Sequence, residues 1–204
     1  MWKKLRILNC DFLMIPILTL IATCLPIDVE IIQSTLKRPN MKVIRTSVIY
    51  RSEIILEVKS KPTVKNKLYQ IVFDLLNNLE RHAIIYEATV TECNDMMKEL
   101  QKNFDPTIIG MYYGKLTSKE QSIIFTNWKN KTIKIMSATL AFGMGINVND
   151  VTLIIYTTLP ISYDRYVQEI GRAGRSGQLS RAILFYSRSD IRTLLTILSN
   201  GQER

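Results

Sequence analysis

The chain has 204 residues, of which 47% are hydrophobic and 22% charged, and its net charge is +9. This composition is typical of a globular protein and excludes a wholly disordered chain or a collagen-like repeat. The basic excess suits a polyanionic partner, either nucleic acid or an anionic membrane surface.

The N-terminal segment permits two interpretations. Basic residues precede an apolar stretch from Phe12 to Ile27, as in a secretory signal peptide. Asp11 and Pro16 interrupt this region, and no uninterrupted apolar span is long enough for a membrane helix. The run 15–22 is instead typical of a buried strand in a parallel sheet. We therefore predict a buried strand and no membrane partner, and a secreted or membrane-anchored protein is the alternative.

Apolar runs of strand length alternate with amphipathic helical patterns along the chain. The predicted strands are 15–22, 41–47, 54–58, 83–86, 107–112, 133–136, 152–156 and 182–186. Helical spacing predicts helices over 64–79 and 93–100, a third from the capping box at 117–120 through Trp128, and a last one from Ser189 or Asp190. This alternation predicts an α/β fold, in which a parallel sheet carries helices on both faces. In such sheets ligands bind at the carboxyl ends of the strands.

The chain divides into two parts by its pattern. Residues 59–67 are polar and contain Pro62, which makes them the best linker candidate. Residues 1–58 predict too few strands for a complete sheet, whereas 59–204 predict a full α/β domain.

The cysteines and the single histidine do not indicate a metal site. Cys10, Cys24 and Cys93 are far apart and form no C-x-x-C pair, so we expect neither a disulfide framework nor a zinc site. His82 follows a helical pattern, and we expect it at a solvated helix end.

A glycine-containing segment follows the predicted strand 133–136. Ser137 and Thr139 can donate hydrogen bonds to phosphate oxygens, and Gly143 and Gly145 permit close approach of backbone N–H groups. Val148 stands where a dinucleotide-binding fingerprint needs glycine. An ordinary glycine-rich turn is the alternative.

A second segment, 168–177, carries two arginines. A helix over 163–175 would place Gln168, Arg172 and Arg175 on one face. Glu169 could pair with Arg172, but Arg175 has no acidic residue three or four positions away. Two close guanidinium groups need an anion, and a triphosphate is the natural candidate. A solvated basic helix end is the alternative.

These two segments carry a family resemblance. Residues 141–147 (AFGMGIN) and 166–177 (YVQEIGRAGRSG) resemble motifs V and VI of RecQ-type DNA helicases, in the same order and at similar spacing. Residues 83–86 resemble motif IV, residues 112–116 resemble the segment that follows it, and residues 2–24 resemble the end of the first lobe with motif III. DEAD-box RNA helicases are less similar in both motifs.

The resemblance implies an ATP-dependent helicase that moves 3′ to 5′ on DNA, with two RecA-like lobes of the P-loop NTPase type. Residues 1–58 would be a remnant of the first lobe and 59–204 the second lobe. The implied partners are ATP with Mg²⁺, single-stranded and forked DNA, and the first lobe. The implied role is DNA repair and recombination, in the nucleus of a eukaryote or otherwise in the cytoplasm or nucleoid.

The resemblance also implies roles for individual residues. Arg172 and Arg175 would act as catalytic arginine fingers on the γ-phosphate. The implied ATP-binding residues are Gln168, Gly143, Gly145 and Asn147. Ser137 and Thr139 would border the DNA backbone.

The sequence departs from the RecQ pattern in important respects. It contains neither G-x-x-x-x-G-K-[S/T] nor an Asp-Glu-x-His segment, so the phosphate loop and the Mg²⁺ carboxylates are absent from these 204 residues. Asn147 stands where the family usually has Asp, and Tyr113 where it has His. We therefore expect no ATPase activity from this chain alone, with the first lobe supplied in cis or trans. The alternative is a non-catalytic nucleic-acid-binding module.

Overall fold

The computed structural model describes residues 15–21, 26–44, 51–77, 79–139, 142 and 150–199. The chain forms two compact units, Met1–Tyr50 and Arg51–Arg204.

The first unit contains helix α1, Pro26–Thr35. The predicted strand at 15–22 is wrong for its described residues, because 15–21 have no regular secondary structure. Leu18 and Leu20 are 83% and 85% exposed. A parallel strand needs hydrogen-bonded neighbours, and the described residues of this unit provide none. Residues 41–44 of the second predicted strand also lack regular structure, and its remainder lies outside the described residues.

The second unit contains a six-stranded sheet in which every neighbouring pair is parallel. Its strands are β1 Ile54–Ser60, β2 His82–Glu87, β3 Ile109–Tyr112, β4 Ile135–Thr139, β5 Val151–Tyr156 and β6 Ser180–Tyr186. Their order across the sheet is β1-β6-β5-β2-β4-β3. The six strands predicted between residues 54 and 186 are therefore confirmed, with shifts at their ends.

Helices cover both faces of this sheet, as predicted. They are α2 Lys65–Leu76, α3 Val90–Leu100, α4 Ser118–Lys129, α5 Tyr163–Ile170 and α6 Arg188–Ser199, and a short 3₁₀ helix spans Pro106–Ile108. Apolar residues of α2 and α3 pack with Ile85 and Ile155 on one face. Residues of α4 and α5 pack with Ile84 and Ile154 on the other. The alternation of side chains along each strand supplies both cores.

The boundary between the units differs from the predicted one after residue 58. Strand β1 pairs with β6 along its whole length, from Ile54 opposite Ser180 to Ser60 opposite Tyr186. Because these hydrogen bonds bind β1 to the sheet, the second unit begins at Arg51. The predicted linker 59–67 includes the end of β1 and the first turn of α2.

The environment of His82 also differs from the prediction of a solvated helix end. His82 is the first residue of β2 and is 2% exposed. Its ring packs on Trp128 with 4.4 Å between centroids. Burial lowers the pKa of the imidazole, because the charged form loses hydration.

The capping box predicted at Thr117 is confirmed. The Thr117 hydroxyl accepts from the Glu120 backbone N–H at 3.3 Å, and the Glu120 carboxylate accepts from the Thr117 N–H at 2.7 Å. Thr89 and Glu92 form the same motif at the start of α3. Within the described ranges, every helix is too short or too polar to cross a membrane.

Candidate functional site

The two arginines of the second motif lie in a turn and not on one helix. Helix α5 ends at Ile170, so the predicted helix over 163–175 is wrong in its last five positions. Gly174 and Gly177 have φ of +66° and +77°, a left-handed backbone that favours glycine and ends helical geometry. We call residues 171–177 the arginine turn.

The backbone of the arginine turn is attached to the start of strand β5. The Gly174 N–H donates to the Val151 carbonyl at 3.2 Å, and Ala173 forms an isolated parallel bridge with Val151. Val151 is the first residue of β5. The arginine turn therefore follows a helix and lies beside the amino end of a strand.

Arg172 points toward buried tyrosine and glutamate side chains. It lies within hydrogen-bonding reach of the Tyr86 hydroxyl, and its charge acts on Glu169. The Glu169 carboxylate is 4% exposed and accepts a hydrogen bond from the Tyr156 hydroxyl at 2.9 Å. Burial raises the pKa of Glu169 to about 7, while the Tyr156 hydroxyl and Arg172 act in the opposite direction.

Tyr86 connects this network to the glycine-containing segment. Its hydroxyl donates to the Phe142 carbonyl at 3.1 Å, and its ring stacks on Tyr156 with 5.0 Å between centroids. Both tyrosine rings are fully buried. A change at Phe142 and a change at Arg172 therefore act on the same hydroxyl group.

Arg175 is the exposed arginine of the pair. Its Nε donates to the Gly171 carbonyl at 3.3 Å, which closes the turn from within. Partial burial lowers the pKa of its guanidinium, and the positive charges of Arg172 and Arg51 lower it further. An anion bound at Arg175 would relieve this repulsion.

Gln168 is exposed on the last turn of α5. Because the helix ends two residues later, Gln168 does not share a helical face with both arginines. Arg172 and Arg175 are close to each other because both lie in the arginine turn, and not because they share a helical face.

Ser137 lies in the middle of β4 and Thr139 at its carboxyl end, and their environments differ. Ser137 is fully buried, and its hydroxyl is hydrogen-bonded to the Glu87 carboxylate at 2.7 Å and to the Cys93 carbonyl at 3.2 Å. It is therefore inaccessible to a phosphate in this conformation, which corrects the predicted contact. Thr139 is the last residue of β4 and half-buried, so it remains a candidate.

The Ser137 hydroxyl instead contacts a buried acid. Glu87 is 1% exposed at the end of β2, and burial raises its carboxyl pKa to about 8 despite the hydrogen bond from Ser137. Burial also raises the pKa of the adjacent Cys93 thiol. A carboxyl group with this pKa is mostly protonated at neutral pH.

The remaining predicted site residues, Gly143, Gly145 and Asn147, lie outside the described residues. In the parts of the chain that are described, no group of three or more His, Cys, Asp or Glu side chains could hold a metal ion.

Several residues of this site carried no signal in the sequence. Glu87 and Tyr86 are adjacent in one strand and face opposite sides of the sheet. Their partners, Ser137 on β4 and Arg172 in the arginine turn, are distant in sequence. Glu169 is the exception, since its spacing of three from Arg172 suggested a pair.

The chain resembles known helicases. Residues 64–177 match the family described as the helicase conserved C-terminal domain. The chain is 31% identical over 200 residues to the ATP-dependent DNA helicase hus2/rqh1 of Schizosaccharomyces pombe, covering 98% of this chain and 15% of that protein. It is 32% identical over 209 residues to the RecQ-like DNA helicase BLM of Xenopus laevis, with the same coverage. It thus spans about 15% of the length of these two relatives.

Solved structures show the same fold. Saccharomyces cerevisiae Dbp5 bound to RNA and ADP BeF3 superposes with a TM-score of 0.68 at 20% identity, over 90% of this chain and 47% of that one. A DEAD box protein from Methanococcus jannaschii gives a TM-score of 0.55 at 26% identity, over 73% and 39%. The predicted RecA-like fold is confirmed.

Proposed function

The chain belongs to the family of helicase C-terminal domains, on its RecQ-like branch, and we propose that it is the second RecA-like lobe of an ATP-dependent DNA helicase moving 3′ to 5′. Its partners would be ATP, a first helicase lobe, and single-stranded or forked DNA. Its setting would be DNA repair and recombination, in the nucleus if the organism is a eukaryote.

The observation that carries the proposal is the unequal environment of the two arginines. Arg172 is held among Tyr86 and Glu169, whereas Arg175 is exposed at the surface of the turn. A guanidinium that reaches a phosphate on another lobe must be exposed, and its neighbour must fix the turn. We assign the phosphate contact to Arg175 and the anchoring of the turn to Arg172.

The chemistry follows from the charge that develops during phosphoryl transfer. The guanidinium of Arg175 would donate N–H groups to oxygens of the γ-phosphate and stabilise the added negative charge in the transition state. The hydrogen bond from its Nε to the Gly171 carbonyl holds the Arg175 guanidinium in position. Gln168, exposed one turn earlier, would contact the nucleotide from the same lobe.

We assign Mg²⁺ to groups outside the described part of this chain. The described residues contain no cluster of ligand side chains, and the guanidinium groups of the turn repel a cation. Mg²⁺ supplies charge neutralisation on the β- and γ-phosphates when bound. Gly143, Gly145 and Asn147 are retained as proposed nucleotide-binding residues from their motif.

The DNA track is proposed along the carboxyl end of β4. Thr139 ends that strand and leads into the glycine-containing segment, whereas Ser137 is enclosed. The net charge of +9 supports binding to a phosphate backbone, and such binding weakens steeply with salt.

The test is ATP hydrolysis by reconstitution. The purified chain, a first lobe carrying a phosphate loop, and their mixture would each be assayed for phosphate release with and without single-stranded DNA. We expect hydrolysis only in the mixture and stimulation by DNA. Arg175→Ala should reduce the rate by about a thousandfold, as for other arginine fingers. Arg192→Ala, an exposed arginine on α6, is the matched control and should leave the rate unchanged.

Three outcomes would count against the proposal. Hydrolysis by the chain alone, lost in Arg175→Ala, would show that the first lobe is unnecessary. Equal rates for Arg175→Ala and Arg192→Ala in the mixture would remove Arg175 from the reaction. Salt-sensitive DNA binding with no hydrolysis in any mixture would favour the second candidate, a non-catalytic nucleic-acid-binding module, which the basic charge also supports.

A further inference from the structure

We propose that Arg51 is a positioning residue for Arg175, and that with Glu53 it clamps the arginine turn in place. The inference rests on the proposed phosphate-facing role of that turn. Neither residue belongs to the two motifs that indicated the function.

The Arg51 guanidinium joins the arginine turn to the start of the sheet. Its Nη2 donates to the carbonyl of Ala173 at 3.2 Å, between the two arginines of the turn. Its Nε donates to the Glu53 carboxylate, with which it forms an ion pair. One side chain thus makes two directional contacts, which the planar guanidinium fork allows and a lysine ammonium does not reproduce.

Glu53 packs directly against the same turn. A Cβ atom at Gly174 would lie 2.8 Å from the Glu53 Cγ and 3.4 Å from the Arg51 Nη2. The turn therefore approaches the clamp more closely than a side chain at position 174 would permit. Position 174 requires glycine for two reasons: a side chain would collide with Glu53, and the φ of +66° is one that other residues rarely adopt.

The clamp itself is attached to the sheet. The Ser180 N–H donates to the Glu53 carbonyl at 2.8 Å, and the Ile54 N–H donates to the Arg51 carbonyl at 3.0 Å. Ile54 and Ser180 are the first paired residues of β1 and β6. Most exposed ion pairs contribute little, because both side chains must be ordered. Here those two hydrogen bonds already hold the backbone of Arg51 and Glu53, so only the side chains remain to be ordered.

The charges explain why Arg51 and Glu53 occur together. The Arg51 charge acts on Arg175, and an uncompensated third cation would push the turn away. The Glu53 carboxylate offsets that charge while Arg51 still donates to Ala173. The pKa of Glu53 is lowered by its own backbone N–H and by Arg51, so the acid stays ionised. Arg51 therefore acts mainly by holding the arginine turn in place, since Glu53 offsets its positive charge.

The test uses the full chain, with Arg51→Ala, Arg51→Lys and a matched control, Arg181→Ala. Arg181 pairs with Glu57 at 2.7 Å and also joins β6 to β1, but along the strands and away from the turn. Amide hydrogen exchange would be measured at Gly174 and Gly177. The NMR resonance of the Arg175 Nε–H would be followed during titration with inorganic pyrophosphate.

In Arg51→Ala we expect about tenfold faster exchange at Gly174, from loss of a charge-assisted hydrogen bond. We also expect a displaced Arg175 resonance and several-fold weaker pyrophosphate binding. Arg51→Lys should restore only part of these properties, and Arg181→Ala should match the unaltered chain at the turn. A thermal denaturation curve for each variant distinguishes these local effects from global unfolding.

Equal exchange and an equal Arg175 resonance in Arg51→Ala and Arg181→Ala would overturn the clamp. If Arg51→Ala loosens the turn but pyrophosphate leaves the Arg175 resonance of the unaltered chain unmoved, the clamp holds the turn and the phosphate-facing role is what fails. The two readouts therefore separate this inference from the proposed function.

Discussion

Glu87 provides the most direct physical test of the structure, because replacing it by glutamine should change how stability depends on pH. The carboxyl group is buried between Ser137 and Cys93, and burial raises its pKa from 4.5 to about 8. The folded chain therefore retains a proton that the unfolded chain releases. A group with a raised folded pKa stabilises the fold most below its unfolded pKa, and this contribution is lost as pH rises through the folded pKa.

The size of the effect follows from the two pKa values. Between pH 6 and pH 9 the unfolded carboxyl is already ionised, while the folded one loses its proton near pH 8. Integrating this difference gives a loss of about 2–3 kcal/mol in the free energy of unfolding over that range. Glu87→Gln keeps the shape and an acceptor for the Ser137 hydroxyl but cannot ionise, so this loss should vanish.

The assay is urea unfolding at 25 °C at several pH values from 6 to 9, followed by tryptophan fluorescence. Subtracting the Glu87→Gln curve from that of the unaltered chain removes the contribution of Glu169, whose carboxyl titrates in both proteins. Glu80→Gln, which replaces an exposed carboxylate, is the matched control. Its free energy of unfolding should change with pH in parallel with that of the unaltered chain.

Ser137→Ala gives a second, opposite check on the same acid. The Ser137 hydroxyl lowers the pKa of Glu87 by hydrogen bonding, so its removal should raise that pKa and move the loss of stability to higher pH. Parallel pH curves for the unaltered chain and Glu87→Gln would refute the reasoning, since the carboxyl would then have the same pKa in both states.

Three further predictions concern backbone, burial and the first unit. Gly174→Ala should lower the free energy of unfolding by about 2 kcal/mol or more, whereas Gly177→Ala, with positive φ but open space around it, should cost only about 1 kcal/mol in the same urea titration. As pH rises from about 5 to 7, the free energy of unfolding of the unaltered chain should increase relative to that of His82→Phe. Burial lowers the imidazole pKa, so in this range the unfolded chain binds more protons than the folded one. A difference in free energy that does not change with pH would contradict this. Deleting residues 1–50 should retain the far-ultraviolet circular dichroism of the sheet and raise solubility, because it removes exposed apolar side chains including Leu18 and Leu20; unfolding of the remainder would contradict the two-unit division.

Local patterns predicted the second unit well. Apolar runs of four to seven residues in a parallel sheet are buried on both faces, so they stand out in the sequence, as in β2 and β5. The capping box at Thr117 located the start of α4 for the same reason, since its hydrogen bonds join residues only three positions apart.

The same reasoning failed where a residue's environment comes from distant partners. An apolar run at 15–21 is not a strand without neighbours to pair with, and a histidine after a helical pattern is buried once Trp128 packs on it. Helical spacing placed both arginines on one face, but α5 ends at Ile170, and left-handed Gly174 with its attachment to Val151 turns the following chain away from the helix.

The family, the α/β class and the two motif segments could thus be read from the order of residues, because each depends on short-range periodicity or on contiguous side chains. The enclosure of Ser137, the raised pKa of Glu87 and the contact of Arg51 with Ala173 could not. Each depends on atoms from strands and turns far apart in the chain. Only packing of the sheet and its helices brings such atoms within hydrogen-bonding distance and removes them from water.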